Sequence, residues 1–153
     1  MKAKPQAVIC DLDGSLCNID HRLHYIQGKS HQKDYDAFYY EVLGDSVNSG
    51  VKEWISSLFS RGIMVVLVSG RRWTCEFATR EWLQTHKIPY HALHMTRGVK
   101  DHRSDTTIKE EILARLLEEY EILFVIDDRP SVVEMWRSHN LKVYPVFQDR
   151  WQL

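Results

Sequence analysis

Short apolar runs recur along the chain, and most stop abruptly at polar residues. Ala7 to Cys10, bounded by Pro5, gives way to Asp11-Leu12-Asp13-Gly14-Ser15, which reads as a buried strand delivering polar groups at its C-terminal end. Ile63 to Val68 is continuously apolar, as in a central strand covered on both faces, and ends at Ser69-Gly70-Arg71-Arg72. Further strands are expected at Ala92 to Met95, Ile122 to Ile126 and Lys142 to Val146. Between them the apolar period changes to that of helices. Val51, Trp54, Ile55, Leu58 and Phe59 mark one helix from Ser49 to about Gly62. A second runs from about Trp73 to His86. The third spans about Thr106 to Tyr120, with Ile108, Ile112, Leu113, Leu116 and Leu117 inward and Ser104 or Asp105 as its N-cap; the fourth spans about Ser131 to His139. Strands alternating with helices predict repeated βαβ units, hence an α/β fold in three layers with a Rossmann-like parallel sheet of about five strands.

The stretch from about residue 17 to 48 breaks this rhythm. It is polar, carries His21, His24 and His31, and offers one short helical segment, Tyr35 to Leu43. We read it as a small insertion after the first strand, too short for a second domain, so that residues 1–153 form a single domain. Its histidines match no zinc spacing. Gly28-Lys29-Ser30 resembles the end of a phosphate-binding loop, but Leu23 stands where the first glycine belongs and no apolar strand precedes it, which argues against an intrinsic kinase.

Charge narrows the picture further. Twenty Lys and Arg against 21 Asp and Glu leave no global basic field, so a polyanionic partner must meet a local patch. Cys10, Cys17 and Cys75 lack the spacing of a disulfide framework or structural zinc site and suit a reducing cytoplasm. No run reaches the roughly 18 apolar residues that span a bilayer, so no membrane association is expected.

In a parallel sheet the C-terminal strand ends share one edge, where groups distant in sequence converge. Here that edge collects Asp11 and Asp13, Ser69 and Arg71, and Asp127 and Asp128, with Lys109 one turn into a helix. Carboxylates from two strands form an all-oxygen site suited to Mg²⁺. The serine hydroxyl, nearby backbone N–H groups, Arg71 and Lys109 supply donors and positive charge for a phosphoryl group. A receiver-type signalling domain uses similar groups, but it places its phosphoacceptor on a middle strand, where Ser69 stands here. An idle binding module would be expected to have lost Asp11 or Asp13.

The order Asp-x-Asp-Gly-Ser, Ser-Gly-Arg, Lys, Asp-Asp resembles the haloacid dehalogenase superfamily of aspartate-nucleophile phosphatases. Val66 to Arg71, Ile108 to Ile112 and Ile126 to Arg137 further resemble the 3′-phosphatase domain of phage-type polynucleotide kinase-phosphatases. The resemblance implies a Mg²⁺-dependent phosphomonoesterase with Asp11 as nucleophile and Asp13 as acid and then base. Ser69, Gly70 and Lys109 would hold the phosphoryl oxygens, and Asp128, helped by Asp127, would complete a metal site with Asp11 and the Asp13 carbonyl. Arg22, Arg71, Arg97 and Asp105 fall where that family keeps further active-site groups. The implied substrate is a nucleic-acid 3′ end, with a separate kinase or ligase partner; a small-nucleotide or other metabolite phosphatase is the alternative. Arg72, Lys100 and Arg103 are read as surface charge with weak claims on a DNA backbone, and Trp73 and Trp82 as packed.

Overall fold

A computed structural model describes residues 3–146. Its centre is a five-stranded parallel sheet ordered β5-β4-β1-β6-β7, with β1 at Gln6–Asp11, β4 at Met64–Val68, β5 at Ala92–His94, β6 at Glu121–Asp127 and β7 at Val143–Pro145. The two remaining strands, β2 (Cys17–Asn18) and β3 (Ser46–Val47), pair antiparallel outside it. Side chains alternate across the central strands, and each face meets its own helices. Val8, Cys10, Val65 and Leu67 pack with Val51, Ile55 and Leu58 of α2 (Ser49–Ser60) and with Trp82 and Leu83 of α3 (Glu76–Thr85). Ala7, Ile9, Val66 and Val68 pack on the other face with Ile108, Ile112, Leu113 and Leu116 of α4 (Asp105–Glu119) and Val132, Val133 and Trp136 of α5 (Pro130–Ser138). The three-layer α/β arrangement with about five parallel strands is therefore as the periodicity predicts.

From β1 the chain reaches β4 and β5 on one side, then crosses to β6 and β7 on the other. The exit of β1 lies at this reversal, where α/β sheets open a crevice.

The insertion is more structured than one helix. Asp20–Ile26 forms 3₁₀ turns, α1 covers Tyr35–Tyr40, and Val42–Gly44 is a further 3₁₀ turn. Its two ends are stapled by the β2–β3 pair and by Asn48, whose side-chain amide donates to the Ser15 carbonyl at 3.0 Å. Asn48 precedes α2, yet its side chain is spent on that bond and makes none to the helix backbone.

One expectation is corrected. Trp73 is 57% exposed: it sits on a 3₁₀ turn, Trp73–Cys75, ahead of α3, where Cys75 is the buried residue. Of the two N-caps the sequence offers for α4, Ser104 is the one used, accepting from the Thr107 amide, which leaves the Asp105 carboxylate for other partners.

Candidate active site

Asp11 ends β1 and alternates to the face occupied by α4, so Lys109 on that helix can reach it. The Lys109 ammonium donates to Asp11 Oδ1 at 2.7 Å and to Asp127 Oδ2 at 2.9 Å, and all three side chains are buried. Burial alone would make the lysine easier to deprotonate, but the two carboxylates outweigh it and hold the ammonium charged. The Ser15 hydroxyl lies 3.0 Å from Asp11 Oδ2 and 3.4 Å from Asp128 Oδ1. Burial, then the Asp127 carboxylate, push the Asp11 pKa well above the usual range; Lys109 opposes them, and Asp128 adds to the rise.

Asp13, two residues on, sits in the opposite field. Its Oδ1 accepts from Arg22 Nη2 at 2.7 Å and from Arg71 Nε and Nη2 at 3.0 and 2.6 Å, while Oδ2 has no protein donor among the described residues. Burial would raise its pKa, but the Arg22 and Arg71 guanidinium groups hold it well below the carboxylate range. Both arginines are held in turn by Asp45, a buried carboxylate that accepts from Arg22 Nε at 2.7 Å, Arg22 Nη2 at 2.8 Å, Arg71 Nη2 at 3.4 Å and His21 Nε2 at 2.7 Å. Trp82 Nε1 fixes the Asp45 carbonyl at 2.8 Å. Arg22, from the polar insertion, is thus fully buried.

The turn after β4 is built separately. Ser69 Oγ accepts from the Arg71 amide at 3.1 Å, which leaves its proton available to another acceptor. At Gly70 a Cβ would lie 2.4 Å from Asp105 Oδ1, so any other residue there would have to displace that carboxylate. Arg97 donates to the Gly70 carbonyl at 2.6 Å, to the Asp101 and Arg103 carbonyls, and to Asp105 Oδ1 at 2.7 Å. Its guanidinium therefore clamps the Gly70 turn to the 101–105 segment. Asp105 Oδ2 takes Arg129 Nη1 at 3.0 Å.

Asp11, Asp127 and Asp128 each offer a buried oxygen within 4.8 Å of the others. Three carboxylates in that space repel one another, and a divalent cation is the group that offsets both the repulsion and the burial. The donor set is all oxygen and fits such an ion. The two acidic neighbours differ, however. Asp127 accepts at both oxygens, from the Asp128 and Arg129 amides at Oδ1 and from Lys109 and Trp136 Nε1 at Oδ2, a set that occupies its lone pairs. Asp128 meets the Ser15 hydroxyl through Oδ1. Gly14, at φ +90°, makes room for it: a Cβ there would fall 2.0 Å from Asp128 Oδ2.

These groups line a cavity of about 660 Å³ whose floor holds Asp11, Asp13, Ser69 and Lys109. One wall comes from the insertion, with Tyr35, Asp36 and Tyr39; the other comes from the 101–105 segment. Every site residue expected from sequence lies in or against this cavity. Asp45 and Trp136 were not foreseen. Asp45 has no motif around it, and its partner arginines lie 23 and 26 positions away. No helix among the described residues is long and apolar enough to cross a membrane.

The sheet order, the carboxylate pair at the exit of its middle strand and the lysine-bound acidic cluster define a phosphatase of the haloacid dehalogenase type. Residues 5–151 match the family described as the polynucleotide kinase PNKP phosphatase domain, and the chain belongs to that family. A protein of Autographa californica nuclear polyhedrosis virus, described provisionally as a bifunctional polynucleotide kinase/RNA ligase, is 32% identical over 146 residues, or 94% of this chain and 19% of its own length. A chain in the Pnkp1/Rnl/Hen1 RNA repair complex superposes with a TM-score of 0.80 at 31% identity, over 94% of this chain and 42% of that one. The present chain thus spans less than half the length of either relative. The class C acid phosphatase of Bacillus anthracis shares the fold, with a TM-score of 0.67 at 14% identity over 95% of this chain and 68% of its own.

Proposed function

We propose that this protein removes 3′-phosphates from polynucleotide ends through an aspartyl-phosphate, with Mg²⁺ as its cation. The observation that carries the chemistry is the placement of Asp11 and Asp13 in one cavity beside Ser69 and Lys109. Asp11 is oriented by Lys109 and Ser15 at the cavity floor, as a nucleophile must be. Asp13 is anchored through Oδ1 by two arginines that keep it ionised, the form of a base, and Oδ2 takes up the proton for the first step once a phosphoryl dianion offsets their charge.

In the first step an Asp11 carboxylate oxygen forms a bond to phosphorus, the bond to the ester oxygen breaks, and Asp13 delivers a proton to that leaving oxygen. In the second, Asp13 takes a proton from water as the water oxygen attacks phosphorus, and the Asp11–phosphorus bond breaks to give inorganic phosphate. Ser69 and Lys109 donate to the phosphoryl oxygens throughout. When bound at Asp11 and Asp128, Mg²⁺ supplies positive charge that offsets the carboxylates and the phosphoryl group. Asp127 holds Lys109 in place.

Family membership and an open mouth favour a polymer end. Between Leu16 and Ser49 there is one short helix and a set of turns, which wall the cavity on one side and form a flap. The product, a 3′-hydroxyl, is the group that a ligase joins, and a kinase or ligase acting on the same ends is the partner we expect. Three buried free thiols suit a reducing cytoplasm.

The test is a substrate panel with Mg²⁺: 3′- and 5′-phosphorylated oligonucleotides, 3′-mononucleotides and sugar phosphates. Phosphate release is expected fastest from 3′-phosphorylated oligonucleotides. A mononucleotide or sugar phosphate preferred over every oligomer at low salt would overturn the polymer-end reading.

A further inference from the structure

Most arginines around the cavity are committed. Arg22 and Arg71 are buried against Asp13 and Asp45, and Arg97 is spent on three carbonyls and Asp105. Arg103 is gripped by two carboxylates, Asp101 and Glu111. Arg72 differs. Its Nη1 donates to Asp36 Oδ1 at 2.5 Å, and Asp36, on α1 of the insertion, has an 88% exposed side chain. The Arg72 guanidinium itself is mostly covered and lies 5.4 Å from the centre of the Tyr39 ring, which restrains it at the cavity wall.

We propose that Arg72 distinguishes a strand end from a lone nucleotide, by exchanging Asp36 for the phosphodiester next to the terminal phosphate. The proposal rests on the polynucleotide reading above. Arg72 and Asp36 line the same cavity as Asp11 and Asp13. A strand whose terminal phosphate reaches Asp11 brings its next phosphodiester along this wall. An ion pair with one exposed partner contributes little to stability and is screened by solvent, so it gives way readily. The phosphodiester offers the guanidinium an anionic partner with two non-bridging oxygens, either of which can replace Asp36 Oδ1. A mononucleotide has no second phosphate and leaves Asp36 in place. Asp36 thus acts as a stand-in ligand that presets the arginine and also disfavours binding by charge.

The experiment compares kcat/KM for a 3′-phosphorylated single-stranded oligonucleotide with that for the 3′-mononucleotide across a salt series. Wild type, Arg72→Gln, Arg72→Lys and Asp36→Asn are measured side by side. In Arg72→Gln the oligomer-to-mononucleotide ratio is expected to fall roughly tenfold, as for loss of one charge-assisted contact. The log–log salt slope for the oligomer should flatten by about 0.7. Arg72→Lys should recover the slope and only part of the ratio, because it keeps the charge without the fork. Asp36→Asn should raise the ratio. If Arg72→Gln keeps the wild-type ratio and slope, the assignment of Arg72 is wrong while the polynucleotide reading stands. If wild type itself shows no oligomer advantage, that reading fails and the role of Arg72 fails with it.

Discussion

At the scale of single residues, the two site aspartates are chemically identical and differ through their neighbours. Asp11→Asn keeps the shape and an acceptor for Lys109 but is a far poorer nucleophile. Turnover is expected to fall by roughly four orders of magnitude or more. Because the substitution also removes one of three crowded carboxylates, the melting temperature in chelator should be no lower than that of wild type. Phosphate release and thermal melting check both halves; residual turnover near wild type would exclude the covalent route. The carboxylates, Ser69, Arg71 and Lys109 were legible in the sequence because each stands at a strand exit or on a helical stripe that the hydrophobic pattern locates. Asp45 was not legible. It lies in a segment without periodicity, and its burial comes from Arg22 and Arg71 closing over it, a contact between distant parts of the chain. For the same reason Arg22 could be placed by sequence spacing from Asp11 but its burial could not.

Among the elements, the strands and the four large helices follow from apolar spacing, and their limits shift by one to three residues. Ends are decided by local hydrogen bonds that the pattern does not carry, such as the one that picks Ser104 from the two candidate caps of α4. The insertion was the least readable part, since its turns are held by Arg22, Asp45 and Asn48 instead of by an apolar stripe. The edge strand β5 carries a pH response of its own. Burial of His94, aided by Arg115 and opposed by Glu119, lowers its pKa below the ordinary value near 6.5. The unfolded chain therefore takes up this proton first as pH falls. Stability from neutral His94 is present above about pH 6.5 and is lost as pH drops through the folded value. The melting-temperature difference between wild type and His94→Gln should shrink in favour of the variant from pH 7.5 to 5. Parallel curves would remove His94 as the cause.

For the molecule as a whole, the acidic cluster couples metal, activity and stability. Chelation is expected to silence the protein and lower its melting temperature, with Mg²⁺ restoring both. Ca²⁺ should restore melting in part but not turnover, because its larger, looser shell misplaces the nucleophile. Activity after exhaustive dialysis into chelator would contradict the site at Asp11 and Asp128. The sheet order has a different consequence, which concerns synthesis. β1 precedes β4 and β6 in the chain, yet it lies between them, and its pairing with β6 joins Ala7 to Ile122. A nascent chain leaving the ribosome N-terminus first thus carries Val8, Ile9 and Cys10 with one hydrogen-bonding edge open until about four-fifths of the described residues have been made. Such a long-range closure is slow and leaves an apolar edge exposed to other chains. The central strand that positions the nucleophile is therefore also one whose pairing is completed late in synthesis.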